Sequence, residues 1–405
     1  MIHTQNWGEL SAIQIGGVIC MPVLMIGQTM IQHYGFASSI AAVLIGNAIL
    51  FFLGLIAAKM SVSKRRTTME NAIEYFGEEG VKFFSLAFVL SLVGWFAIQL
   101  NMMTLGVMDL FSLDGTSIFT RTALNVGLGI LITLVALYGV RGISILANLS
   151  LPLLIATIGY AAYSIDRVDQ PGAVLEEIPF TYGGISLVIA MAIAFVIDLP
   201  TYYRHAKTVK HAYISIAIVF GLCLPLLEII GIYLAAANPD GSFLDVFKRN
   251  NSMAWNYWTA TFLILAGWTT NNVNLYSGVV CMDTLMKNSS VWFKTLAFGA
   301  VSTALSCVDL LTHIELVLEV IGISIGSMGG LIFTRYLLAQ IHGLEVTKED
   351  HPLHLLAWAV GILVGLLSWF GYSLTGISVL DATFAASLAT MLVMTKRRSY
   401  EKTFS

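Results

Sequence analysis

Long apolar runs separated by short polar connections dominate the chain. They lack the alternation of apolar and polar residues that barrel strands show. A helix needs about 20 apolar residues to cross a bilayer. On that measure twelve runs are predicted as spanning helices, at about 12–33, 36–58, 83–112, 120–140, 143–164, 182–203, 211–237, 255–284, 292–311, 314–341, 353–372 and 376–395. The longest polar connections fall at 166–181 and 238–254 and fit solvated loops. The stretch 61–80 is basic and then acidic (Glu70, Glu74, Glu78, Glu79), which predicts an amphipathic segment lying on the membrane before the third run. No linker separates domains, so 1–405 is expected to be one all-α transmembrane domain.

Composition agrees. Of 405 residues, 57% are hydrophobic and 11% charged, against about 25% charged in soluble domains; this is an integral membrane protein. A net charge of -3 gives no reason to expect a nucleic-acid partner. With both termini cytoplasmic, only Arg121, Arg167, Lys248 and Arg249 fall outside, leaving 17 of the 21 Lys and Arg residues inside. That bias sets the expected orientation. The short polar lead before a full-length apolar run predicts no cleavable signal peptide. Cys20, Cys223, Cys281 and Cys307 lie within apolar runs and are expected to be buried small hydrophobes, with no disulfide or metal site.

Against this background the eighth run is unusual. Ala266, Gly267, Trp268, Thr269, Thr270, Asn271, Asn272, Val273, Asn274, Leu275 and Tyr276 follow one another at its centre. Unpaired polar groups in hydrocarbon cost several kcal/mol each, so the cluster should face the protein interior. There it could hold a ligand or ion, or hydrogen-bond a neighbouring helix. Asn271 and Asn272 both donate and accept, while Thr269, Thr270 and freed carbonyls offer neutral oxygens suited to Na⁺ more than Ca²⁺. In the third run Trp95 and Gln99 share a helix face at i, i+4. An indole plane one turn from a carboxamide suits a flat heterocycle, although packing plus an interhelical hydrogen bond needs the same residues.

Two runs are expected to break. The first holds Gly16, Gly17 and Pro22; the sixth holds Gly183, Gly184 and the sequence Asp198, Leu199, Pro200. Transporters built from inverted repeats place such breaks around the substrate. Among acids at membrane depth (Asp198, Glu228, Asp309, Glu319), Asp198 is the most notable. It could meet a cationic group, carry a coupled proton, or pair with Arg204.

Gly94, Trp95, Phe96 and Gln99, together with Gly267 to Asn271 and Asn274, Leu275, Tyr276, resemble the third-span and eighth-span motifs of the nucleobase:cation symporter-1 family, nearest to its cytosine permease branch. Phe76 and Gly77 after the basic loop, and Tyr203 and Arg204 ending the sixth run, are similar too. The resemblance implies a leucine-transporter-type fold of two inverted five-helix repeats (12–164 and 182–341) plus two C-terminal helices (353–395). It implies a substrate site of Trp95 and Gln99 with Asn271 or Asn272, to which Met21 and Asp198 are added as departures at the expected pocket, and a sodium site of Gly17, Cys20, Ala266, Thr269 and Thr270. Met21 stands where cytosine permeases place an aromatic, and the run from Phe195 to Pro200 departs from the family's small residues.

The expected function is a symporter of the inner membrane that imports a small planar nitrogenous heterocycle (cytosine, a purine or a hydantoin-like compound) by alternating access. Na⁺ is the expected coupling ion, there is no other cofactor, and a monomer can suffice. The alternative is a proton-coupled carrier of a cationic amine or other small polar solute, using Asp198. No catalytic triad, nucleophile motif or carbonyl filter is visible, which leaves no basis for an enzyme or a channel.

Overall fold

Helix falls on each of the twelve apolar runs. The computed structural model describes residues 4–113, 117–137, 139–165, 178, 180–237, 253–308, 313–343 and 346–404. Most of the connections at 166–181 and 238–254, and Asp309, lie outside these. In chain order the helices are α1 (Trp7–Val18), α2 (Met21–Tyr34), α3 (Phe36–Lys64), α4 (Thr68–Leu110), α5 (Ile118–Ala136), α6 (Gly139–Ile165), α7 (Gly183–Ile197) and α8 (Leu199–Tyr203). They continue with α9 (Val209–Ile218), which passes through a π-turn (Val219–Cys223) into α10 (Leu224–Ala237), then α11 (Met253–Leu285), α12 (Val291–Ser306), α13 (Ile314–His342), α14 (His351–Trp369) and α15 (Ser378–Phe404). The described residues form no strand beyond one isolated bridge, Gln5 to Ala206.

Seven of these helical segments are long and apolar enough to cross a membrane, or eight if the bent pair α1 and α2 counts as one span. Helix α11 has the length, 33 residues, but carries the polar stretch at its centre, and α12 has only 16 residues.

Both expected breaks are present. Helix α1 ends at Val18, with the Ile19 amide closing on Ile15 O at 2.9 Å, and α2 starts at Met21 after a bend of 53°. Pro22 sits in the first turn of α2, where its missing N–H has no helical partner to lose. Asp198 (φ -86°, ψ -1°) separates α7 from α8, and Pro200 again occupies a first turn.

The amphipathic stretch departs from expectation. Its helix begins with a capping box between Thr67 and Glu70 and turns at Gly77 (φ 72°), whose Cβ, if it had one, would lie 2.5 Å from His351 Nδ1. Thr68, Met69, Asn71, Ala72, Tyr75 and Phe76 are buried in the protein. The Tyr75 carbonyl meets His354 Nδ1 at 2.7 Å, and Lys64 Nζ donates to Glu74 at 2.8 Å and to Tyr75 OH at 3.1 Å. The segment therefore packs across helix ends instead of lying on lipid.

Around it runs a basic face. Arg65 donates to the Arg204 and Ala206 carbonyls at 2.7 and 2.5 Å, Arg66 pairs with Glu74, Lys287 with Glu78 and Lys294 with Asp283. Helix α11 packs along α4, and α2 crosses α10, where a Cβ on Gly27 would fall 2.1 Å from the Gly231 backbone. Helices α14 and α15 pack on each other and on α13.

Candidate functional site

The two breaks face each other across a narrow cavity of about 80 Å³. Gly17 of α1, Trp95 of α4, Asp198 at the α7–α8 break, and Thr270, Asn274 and Ser277 of α11 line it. Spacings of three and four residues put Thr270, Val273, Asn274 and Ser277 on one stripe of α11, so a single helix face makes that wall.

The same spacing turns other predicted residues away. Asn271 Nδ2 donates to Phe96 O at 3.2 Å, and Asn272 is buried with neither amide atom paired. Neither is in the cavity wall, where Asn274 and Ser277 stand instead. Gln99 lies one turn from Trp95, fully buried, with both amide atoms unpaired. Its Nε2 would be 3.0 Å from a Cβ at Gly267, so that glycine lets α11 approach the carboxamide. Met21 is buried in the first turn of α2, outside the cavity wall.

Beside the cavity, Thr270 Oγ1 lies 3.1 Å from Gly17 O and 3.0 Å from Ala266 O. Thr269 Oγ1 is 3.0 Å from both Leu265 O and Ala266 O. Cys20, the N-cap of α2, also lines the cavity. Gly17 and Cys20 flank the broken turn, while Ala266, Thr269 and Thr270 form an i, i+3, i+4 set on α11. The hydroxyls and carbonyls of this set are neutral oxygens, and the described residues hold no cluster of His, Cys, Asp and Glu suited to a transition metal.

Asp198 is held by hydroxyls. Its Oδ1 accepts from Thr68 at 3.0 Å and Thr201 at 2.7 Å, its Oδ2 accepts from Ser277, and Ser277 Oγ meets Tyr202 OH at 2.8 Å. Of the alternatives open to Asp198, pairing with Arg204 is not the one formed: that guanidinium lies 3.7 Å from Glu70, because the helical turns of α8 carry it to the basic face. Glu228 is buried on α10 against Asn47 of α3, outside the cavity wall. Glu319 accepts from Ser378 Oγ at 2.7 Å.

Two further cavities continue the line. A space of about 150 Å³ between α2, α7 and α13 shares Met191 with the central cavity. It shares Leu187, Ile314 and Glu315 with a cleft of about 560 Å³ at the end of the molecule away from the basic face.

Broken helices thus surround a small central cavity, two further cavities share wall residues with it in turn, and the relatives of this chain are transporters. Over 399 residues the chain is 24% identical to the cytosine permease of Escherichia coli (strain K12), covering 95% of this chain and 90% of that protein. No family model matches it. The structure is similar to Mhp1, a nucleobase-cation-symport-1 family transporter, in a closed conformation with bromovinylhydantoin bound (TM-score 0.80, 16% identity, 99% of this chain and 94% of that one). The inward-facing conformation of Mhp1 gives a TM-score of 0.73 at 17% identity, covering 99% and 93%. A Na⁺-coupled sialic acid symporter in a substrate-bound outward-open state gives 0.70 at 15% identity, covering 95% and 89%. The resemblance carried by the third and eighth runs thus extends along nearly the whole chain, and these relatives are transporters, not enzymes.

Proposed function

We propose that the chain is a secondary active symporter that imports a small planar nitrogenous heterocycle with Na⁺. In this reading it crosses the inner membrane twelve times with both termini cytoplasmic. Two inverted repeats (12–164, 182–341) surround the cavity and 353–395 adds two helices. The observation that carries it is the contact of Thr270 Oγ1 with Gly17 O at 3.1 Å, which joins the broken α1 to α11 at the cavity edge.

Trp95 offers the indole face on which a flat ring stacks, and Asn274 offers an amide to its polar edge. Gln99, with no hydrogen-bond partner among the described residues, is a further carboxamide on the Trp95 face. Gly17, Cys20, Ala266, Thr269 and Thr270 would hold Na⁺ through neutral oxygens beside the α1 break. Those residues tie α1 to α11, and the tie favours the arrangement in which Trp95 faces the cavity. Alternating access then follows from rocking of the repeats about the site.

Thermal unfolding of the purified protein against a nucleobase panel, with and without Na⁺, tests this. A ligand that binds the folded state raises apparent stability by mass action. Stabilisation by a base that deepens with Na⁺ is expected, and a panel without effect overturns the heterocycle reading. A second reading, proton coupling, is favoured by the burial of Asp198 in the cavity wall. Na⁺-independent, pH-dependent uptake that Asp198→Asn abolishes would establish it in place of Na⁺ coupling.

A further inference from the structure

The three consecutive cavities share an electrostatic character. The outer cleft carries Glu315 and Glu319, the connecting space again Glu315, and the central cavity Asp198. Among the described residues no Lys or Arg lines any of them, and His313 is the one basic side chain, at the mouth. His33 faces Glu315 at 3.8 Å. At the opposite end Arg204, Lys64, Arg66 and Lys287 are occupied by Glu70, Glu74 and Glu78.

At the inner end of this route Asp198 is 4% exposed. Three hydroxyls, Thr68, Thr201 and Ser277, donate to it, and no cationic side chain among the described residues lies within 4 Å. Two of those donors share Oδ1 and one is on Oδ2; a carboxylate has about four acceptor positions, so one remains at Oδ2. Hydroxyl dipoles orient around the anion without cancelling its charge, and a buried charge is costly unless an opposite charge meets it. The Trp95 indole lines the same small space, and an indole face also attracts cations.

We infer that the cargo is a cation: a single-ring nitrogen heterocycle protonated on the ring, or bearing an amidinium-type N–H edge, that stacks on Trp95 and donates a charged N–H to Asp198. This rests on the heterocycle reading above and adds the charge. The cavity volume limits the cargo to one ring, being far below the ~300–1,000 Å³ of ordinary ligand pockets. Glu315 and Glu319 raise the local concentration of such a cation at the mouth and repel anions.

The test is isothermal titration of the full-length protein in detergent at one saturating Na⁺ concentration. The probes are 4-aminopyridine and 2-aminoimidazole, both cations at neutral pH, against uracil and hydantoin, both neutral. The cations should bind about tenfold or more tighter, and Asp198→Asn should abolish that preference while sparing the neutral rings. Should Asp198→Asn fail to fold, the double variant Glu315→Gln and Glu319→Gln serves. It should weaken binding of the cations severalfold at low salt and leave the neutral rings unaffected. Neutral rings binding as well as cations in the wild type would overturn the inference and leave the heterocycle symporter standing. If no ring of either charge binds, both fall. Ring preference left intact in the variants would mean that the acids do not read the charge of the cargo and would also overturn it.

Discussion

Thr68, in the first turn of the helix that later carries Trp95, donates its hydroxyl to Asp198 Oδ1 at 3.0 Å. One carboxylate thus belongs both to the cavity wall and to the packing of the 68–76 segment across the basic end of the bundle. Ser277 reaches the same carboxylate from α11, so three elements close on one side chain beneath the cavity.

Thr68→Val keeps the volume and removes the donor. It should cost about 1–2 kcal/mol of stability and lower the melting temperature, with Thr68→Ser restoring it. Wild-type melting of Thr68→Val would mean that the link contributes nothing to closing this end.

Thr270→Val removes a hydroxyl that contacts both Gly17 O and Ala266 O. The Na⁺ concentration giving half-maximal thermal stabilisation should rise about tenfold or more, as expected for loss of one polar contact worth over 1 kcal/mol. Affinity for cargo at saturating Na⁺ should change little. An unaltered Na⁺ titration would remove Thr270 from the cation site.

Gln99→Leu separates binding from folding. Both amide atoms of Gln99 are buried and unpaired among the described residues, so an apolar near-isostere should leave stability unchanged or higher. Cargo affinity in direct binding should nevertheless fall about tenfold. Loss of stability with intact binding would make Gln99 a packing residue.

Gly27→Ala tests the α2–α10 crossing. The added Cβ would meet the Gly231 backbone at 2.1 Å, where no side chain can yield. Destabilisation of about 2 kcal/mol or more is expected, visible as a smaller monodisperse peak in size-exclusion chromatography. A normal peak at a normal melting temperature would show that the crossing can open without loss.

Much of this architecture was legible in the chain. Hydrophobicity over about 20 residues is a local property, and helix falls on every run it marks. The breaks at Ile19, Cys20 and Asp198 were also foreshadowed, because Gly and Pro act on their own backbone. What failed were statements about neighbours. Asp198 was open to pairing with Arg204, yet the turn of α8 sends the guanidinium to Glu70 and leaves the carboxylate to hydroxyls from distant helices. The 68–76 stretch has the amphipathic pattern of a membrane-surface helix, but its apolar side finds protein.

The sequence by itself determined a membrane-embedded helical chain, the positions of its weak turns, and the polar stretch from Ala266 to Tyr276, since each depends on residues adjacent in the chain. Only the tertiary structure decided which side chains meet. The rotation of α11 puts Thr270, Asn274 and Ser277 on the cavity and turns Asn271 to Phe96. The packing of α2, α7 and α13 puts Glu315 and Glu319 on one cleft and leaves Asp198 in the wall of the central cavity. Helical phase and helix crossing are set by all the packed faces together, and no single stretch of sequence contains them.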